Sequence, residues 1–205
     1  MEQICAVFPL HNSITLKKIP LPYHVFEQKY TQMMHDSFLT NQRVAVMPPR
    51  GSDFKNRVCI AGIPMLLQKY EDGRMDVVIT GVEKVRLTER VQTFPYLQYK
   101  YEKIFENEKV TLKEDLSLLR ELLWSEIAKQ PHFETQKTQL RKILQDPESI
   151  INYTVLLLVR NIQEREKLMV INSFDAKIKT LIDTLAPKRY DLSPFLHPII
   201  MDNNP

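Results

Sequence analysis

Apolar residues recur at about every second position in the first half of the chain and at every third or fourth in the second, with the change near residue 107. Before that point, short β-branched and aromatic runs bounded by turn residues predict strands over residues 4–8, 43–47, 57–67, 75–80, 82–91 and 96–104. Glu71-Asp72-Gly73-Arg74 lies between two of them, and Asp-Gly suits a tight hairpin because both central residues need positive φ. Pro48-Pro49-Arg50-Gly51-Ser52-Asp53 reads as an exposed loop. Phe26, Tyr30, Met33, Met34 and Phe38 fall at helical spacing and predict one helix over 26–38. Such a helix must bury its stripe on a sheet face or at a barrel end.

After residue 107 the pattern is helical. Leu112, Leu116, Leu119, Leu123 and Ile127 make one stripe, and a second helix is expected over 135–144. Asp146-Pro147 offers an N-cap followed by proline at the first helical position, where a missing N–H costs nothing. That helix carries Ile150, Ile151, Thr154, Leu157, Leu158 and Ile162. The last helix is expected over 164–185, with Leu168, Ile171, Phe174, Ile178, Leu181 and Leu185, and stops before Pro187. The expectation is an α+β protein: a mainly β domain over 1–107 with one packed helix, a four-helix bundle over 108–189, and an irregular tail over 190–205.

Composition narrows the chemistry. Four glycines stand against thirteen prolines, and no Gly-x-x-x-x-Gly-Lys-Ser/Thr string exists to wrap a nucleotide's phosphates. Gly-x-Ser-x-Gly elbows are absent, and Lys17-Lys18 beside Ser13 reads as a solvated turn. The five histidines lack the spacing of zinc ligands, so neither metal nor cofactor is expected. Cys5 and Cys59 lie in apolar runs and read as buried thiols. No stretch approaches the length of a membrane helix and Met1-Glu2-Gln3 does not open a secretion signal, so a cytoplasmic protein is the expectation. The net charge of +3 lies wholly in residues 1–107, with 14 Lys+Arg against 11 Asp+Glu. An excess this small argues little for nucleic acid.

Several strings then line up in order: Phe8-Pro9-Leu10, Pro20-Leu21-Pro22-Tyr23-His24-Val25-Phe26-Glu27-Gln28-Lys29-Tyr30, Asp72-Gly73-Arg74, Gly81-Val82-Glu83-Lys84-Val85 and Pro95-Tyr96. Together they resemble the amino-terminal, substrate-binding region of the Lon protease family, and Gln163-Glu164-Arg165-Glu166-Lys167-Leu168 with Phe174-Asp175 extends the likeness into the helices. Gln28 and Lys29 stand where the family usually has proline and arginine, and Lys84-Val85 where it has arginine and phenylalanine. The resemblance implies a PUA-like pseudo-barrel followed by helices, and a module that helps to select unfolded or tagged protein substrates and supports assembly, without catalysing cleavage.

Read on these residues, Pro20 and Pro22 keep the chain extended up to Tyr23, and Glu27 falls in the first turn of the helix that follows. Pro20, Leu21, Pro22, Tyr23, Met33 and Met34 are the candidate surface for apolar peptide segments, since methionine adapts to varied partners. The competing reading of Met33 and Met34 is a core stripe. Two other functions stand beside this one. The first is an adaptor that docks on one partner, such as a separate protease, with Trp124 as anchor if exposed. The second is an RNA-binding protein using Lys17, Lys18, Arg43, Arg50, Lys55 and Arg57, against which the lack of interleaved aromatics argues.

Overall fold

A computed structural model describes residues 3–51, 53–129 and 137–186. The β region contains β1 (Ile4–Pro9), β2 (Pro20–Val25), α1 (Gln28–Thr40), β3 (Arg43–Met47), β4 (Val58–Lys69), β5 (Met75–Gln92) and β6 (Leu97–Lys103). One mixed sheet runs in the order β2-β5-β4-β3-β1-β6, and β5 also pairs with β6, which closes the sheet on itself. Only β1 and β3 run parallel; the other pairs are antiparallel.

The two strands expected over 75–80 and 82–91 are one strand of 18 residues. Gly81 is no break: a Cβ there would stand 2.2 Å from the Leu16 carbonyl oxygen, so glycine is what lets the 14–18 segment cross over β5. The register shifts between Ala61 and Gly62, opposite this point. The resulting bend hands β5 from β2 at one end to β6 at the other. Beyond the bend, β2, β5 and β4 extend as a three-stranded ribbon ending in the Asp72-Gly73 turn, where Gly73 has φ +89°.

The helix α1 begins two residues later than expected. Glu27 is its extended N-cap rather than part of its first turn, and its carboxylate pairs with Lys29 at 3.1 Å. Met33 and Met34 are fully buried against Val25, Met75, Val77 and Ile79. Burial of such side chains stabilises the fold by roughly 1.5–3 kcal/mol each. The barrel interior is a separate cluster that includes Cys5, Val7, Phe54, Cys59, Leu87 and Tyr99. Both cysteines are free and buried, and burial pushes the Cys59 thiol up to about 12.

The helical region holds α2 (Lys113–Ala128), α3 (Lys137–Ile143), α4 (Pro147–Leu158), α5 (Ile162–Val170) and α6 (Phe174–Leu185). Asp146 caps α4 as its sequence suggests, accepting from Ser149 N–H at 3.0 Å ahead of Pro147. The single helix expected over 164–185 is instead α5 and α6. Ile171 is extended, and its carbonyl accepts from Lys84 Nζ at 2.7 Å. Asn107 N–H donates to Asn172 O at 2.7 Å, Phe174 N–H to Asn107 O at 3.0 Å, and Ser173 caps α6. Tertiary partners take backbone groups that a continuous helix would use itself. Helix stripes and the barrel share one core, in which Ile14, Leu16, Ile19 and Ile60 pack with Leu119, Leu123, Ile150, Ile178 and Leu181. The tail expected over 190–205 lies outside the described residues.

Candidate functional site

The ribbon's two faces follow from strand alternation. On the inner face Val77 and Ile79 of β5 are fully buried over α1, with Tyr23 of β2 packed against the same cluster. The outer face therefore carries the alternate residues. Its rows, read from the register, are Pro20–Thr80–Ile63, Pro22–Val78–Met65 and His24–Asp76–Gln68. Pro20, Pro22, Ile63 and Met65 are exposed, Met65 at 57%, and Val78 is half-buried. Leu67, in the bulge beside Gln68, is exposed at 55%.

The rim of this face is polar and ordered. His24 Nδ1 and Asp76 Oδ1 lie 2.7 Å apart, and Tyr70 Oη donates to Asp76 Oδ2 at 2.6 Å. The Tyr70 bond first and the His24 bond second hold the Asp76 carboxyl below its ordinary range. Phe26, exposed at 66%, stacks on the His24 ring with centroids 6.2 Å apart, which extends the apolar surface past the end of β2.

The ribbon's two edges differ in their backbone groups. Tyr70 N–H donates to Arg74 O at 2.9 Å, which sets the phase of the β4–β5 ladder. Carried back through the register, Met65 turns its backbone groups to β5, while Pro64 and Leu66 turn theirs outward. The same alternation puts the nitrogens of Pro20 and Pro22 on the outer edge of β2, where no N–H is needed. One edge is thus sealed by proline. On the other, β3 pairs with β4 only at Gly62, and the Leu66 peptide has no strand neighbour among the described residues.

Of the residues singled out in the sequence, Pro20 and Pro22 lie on this outer face, whereas Leu21 and Tyr23 point inward and are half-buried. Tyr23 Oη bonds Ser13 Oγ at 2.9 Å. Met33 and Met34 do not join them. Both are at 0% exposure under the inner face, a correction with a simple cause: α1 is amphipathic and the ribbon above it is the surface that its apolar stripe must cover. Their place on the outside is taken by Ile63, Met65 and Val78. The signal for Ile63 and Met65 was the unbroken apolar run Ile63-Pro64-Met65-Leu66-Leu67, which as a strand leaves apolar residues on one face whichever side is buried.

A second concentration of polar side chains is buried where the barrel meets the helices. Glu106 Oε1 accepts from Lys177 Nζ at 2.5 Å and from Lys84 Nζ at 3.3 Å, and Lys17 Nζ lies 3.4 Å from Oε2. Lys17 also meets Glu148 at 2.5 Å, and Lys18 meets Glu148 at 3.0 Å and Asp146 at 2.8 Å. The Lys84 side chain is wholly buried, and burial followed by the Lys177 charge pushes its amine down to about 8. The neighbouring void is about 10 Å³, room for one water and no substrate. This cluster joins parts of the fold and presents no reactive group.

The basic residues considered for phosphate contact are largely engaged in this way. Lys17 and Lys18 belong to the junction, Arg43 pairs with Glu83 at 3.2 Å, and Arg50 and Arg57 share Glu166. Among the described residues no three His, Cys, Asp or Glu side chains form a set that could hold a metal, and no helix is long and apolar enough to cross a membrane. His132 and His197 lie outside the described residues.

Known proteins share both sequence and architecture with this chain. It is 23% identical to Lon protease 2 of Myxococcus xanthus over 203 residues, covering 92% of this chain and 24% of that protein. It is 19% identical to Lon protease of Desulfosudis oleivorans over 190 residues, covering 87% and 23%. The chain thus spans about a quarter of the length of the curated relatives it matches. The solved N-terminal domain of Mycobacterium avium complex Lon protease superposes with a TM-score of 0.67 at 12% identity, covering 90% of this chain and 98% of that one. The Lon N-terminal domain protein from Xanthomonas campestris gives 0.66 at 16% identity, covering 88% and 98%. The profile described as the ATP-dependent protease La (LON) substrate-binding domain matches residues 4–186, nearly all of the barrel and the helices, and the chain belongs to that family.

Proposed function

We propose that this chain is a substrate-recognition module that binds exposed apolar segments of unfolded proteins on the outer face of the β2–β5–β4 ribbon. The observation that carries the reading is the apolar patch of exposed Pro20, Pro22, Ile63 and Met65 around the half-buried Val78, which has no covering element among the described residues. Apolar surface of this kind, bordered at one end by the polar row His24, Asp76 and Gln68, is what an interaction site presents. Met65 and Leu67 lend it tolerance of varied side chains. An extended client segment would gain a second hold from the open β4 edge, where the Leu66 peptide supplies a donor and an acceptor. Binding is the whole of the activity in this reading; cleavage belongs to separate machinery.

The test is binding of reduced, carboxymethylated lactalbumin to the chain and to an Ile63→Glu/Met65→Glu variant. Two carboxylates on the outer face should weaken binding at least tenfold at unchanged melting temperature, since each removes roughly 1 kcal/mol or more of apolar contact. Equal binding by the two proteins sinks the reading. Loss of one stoichiometric partner in place of many unfolded clients would make the face an adaptor surface.

A further inference from the structure

The cleft between α2 and α3 is built differently from the ribbon. Arg120, Glu121 and Trp124 line it from α2, and Arg141, Leu144 and Gln145 from α3 and the turn after it, around a space of about 440 Å³. Leu144 is buried and Trp124 half-buried, so the cleft offers an apolar floor and one aromatic wall. The Arg141 guanidinium carbon lies 5.0 Å from the centre of the Trp124 ring. Among the described residues neither Arg120 nor Arg141 meets a carboxylate. The Arg120 Nε is buried and has no hydrogen-bond partner there. Elsewhere the half-buried arginines are satisfied: Arg57 donates to Pro48 O and Glu166, and Arg165 to Val159 O and Leu156 O. The Arg120 Nε–H is closed to a water-sized atom, so what the cleft offers a partner is the remainder of the Arg120 and Arg141 guanidinium groups that line it.

We infer that this cleft docks an acidic segment of a partner protein, one that sets an Asp or Glu carboxylate beside a bulky apolar side chain. The carboxylate takes the guanidinium groups, whose planar forks match its two oxygens, and the apolar side chain lies on Trp124 and Leu144. Charge complementarity selects a carboxylate over a polyanion. The lining carries two guanidiniums and a single carboxylate, that of Glu121, an excess of one positive charge that suits one carboxylate better than a chain of phosphates. The site is separate from the ribbon and does not rest on the function proposed for it.

Trp124 is the single tryptophan of the chain, so its fluorescence reads the cleft directly. The probes are capped hexapeptides that place Glu, Asp, Gln or Asn next to Phe or Leu, and a poly-uridine oligonucleotide. The acidic peptides should shift Trp124 emission saturably and bind at least tenfold more tightly than their amide counterparts, with affinity falling as salt rises. Arg120→Gln/Arg141→Gln should abolish that preference at an unchanged melting temperature. Arg120→Lys, which retains charge without the fork, should restore it only in part when Arg141 is kept. Amide peptides that bind as well as acidic ones, a preference that survives in the double variant, or a response to the oligonucleotide alone would each overturn the inference.

Discussion

The junction between barrel and helices and the outer face of the ribbon invert the usual distribution of side chains. At the junction Lys84, Glu106 and Lys177 are buried; on the ribbon Ile63, Met65 and Leu67 are exposed. Buried charge is tolerable at the junction because one carboxylate serves three ammonium groups and the Ile171 carbonyl takes a further proton of Lys84. Its partners lie within the chain, so its explanation is structural. The ribbon's apolar face has no partner within the described residues. The difference teaches that an unusual residue is best judged by whether the fold completes it.

The largest test of that contrast is Glu106→Ala. Burial works to raise the Glu106 carboxyl, but Lys177, Lys84 and Lys17 outweigh it and hold it below the ordinary carboxylate range. Removing it leaves Lys84 and Lys177 buried without their anion, and chemical denaturation should show a loss of about 3–5 kcal/mol. A loss under about 1 kcal/mol would mean that the junction is wetter than its burial indicates. Next in size are two methionines on opposite faces. Met33→Ala should cost about 2–4 kcal/mol by opening a cavity under the ribbon, whereas Met65→Ala should change stability by less than about 0.5 kcal/mol while weakening client binding. If the two substitutions destabilise equally, the outer face is packed against something and the functional reading fails.

Smaller than the loss of either buried group is a dependence on pH. Lys84 has a folded pKa of about 8 against 10.5 for the free side chain, so its charged form opposes folding below pH 8 and the opposition lifts as pH rises toward 10.5. The buried thiols and tyrosines act the other way: Cys59 at about 12 and Tyr96 at about 12 favour folding less as the unfolded chain ionises above pH 9 to 10. The measurement is therefore the difference between the natural chain and Lys84→Met. Between pH 8 and 9.5 the natural chain should gain about 1.5 kcal/mol relative to the variant. A difference that stays level with pH would show that Lys84 keeps its proton through the range.

Local rules carried much of the fold. The Asp146 cap before Pro147 and the stripe Leu116, Leu119, Leu123 and Ile127 depend on neighbours within a few residues, and each is found where its pattern sets it; the hairpin also turns at Asp72-Gly73, but with positive φ at Gly73 and not at Asp72. Of the six residues singled out in the sequence, two, Pro20 and Pro22, lie on the outer face, although β2 was not itself expected as a strand. Prolines alternating along Pro20-Leu21-Pro22 belong on an edge strand, and β2 is one. The break between α5 and α6 was not legible, because helical periodicity continues through Ile171 and Phe174, and only Asn107 and Lys84 interrupt it. Nor did Lys17, Lys84 and Lys177 show any pattern, being separated along the chain by 67 and 93 positions yet brought to one carboxylate.

By itself, then, the sequence determined most of the strands and helices, though not strand β2 or the break between α5 and α6, and that two kinds of structure follow one another. Those choices depend on backbone propensity and on the period of apolar residues, and both are written locally. Tertiary structure decided which apolar residues stay outside. Met33-Met34 and Met65 are the same chemistry in amphipathic settings, and period alone marks two sides of an element without saying which one will be covered. Burial goes to the face that a second element reaches first. For the ribbon that element is α1, which covers the inner side and leaves Ile63, Met65, Val78, Pro20 and Pro22 to the outside.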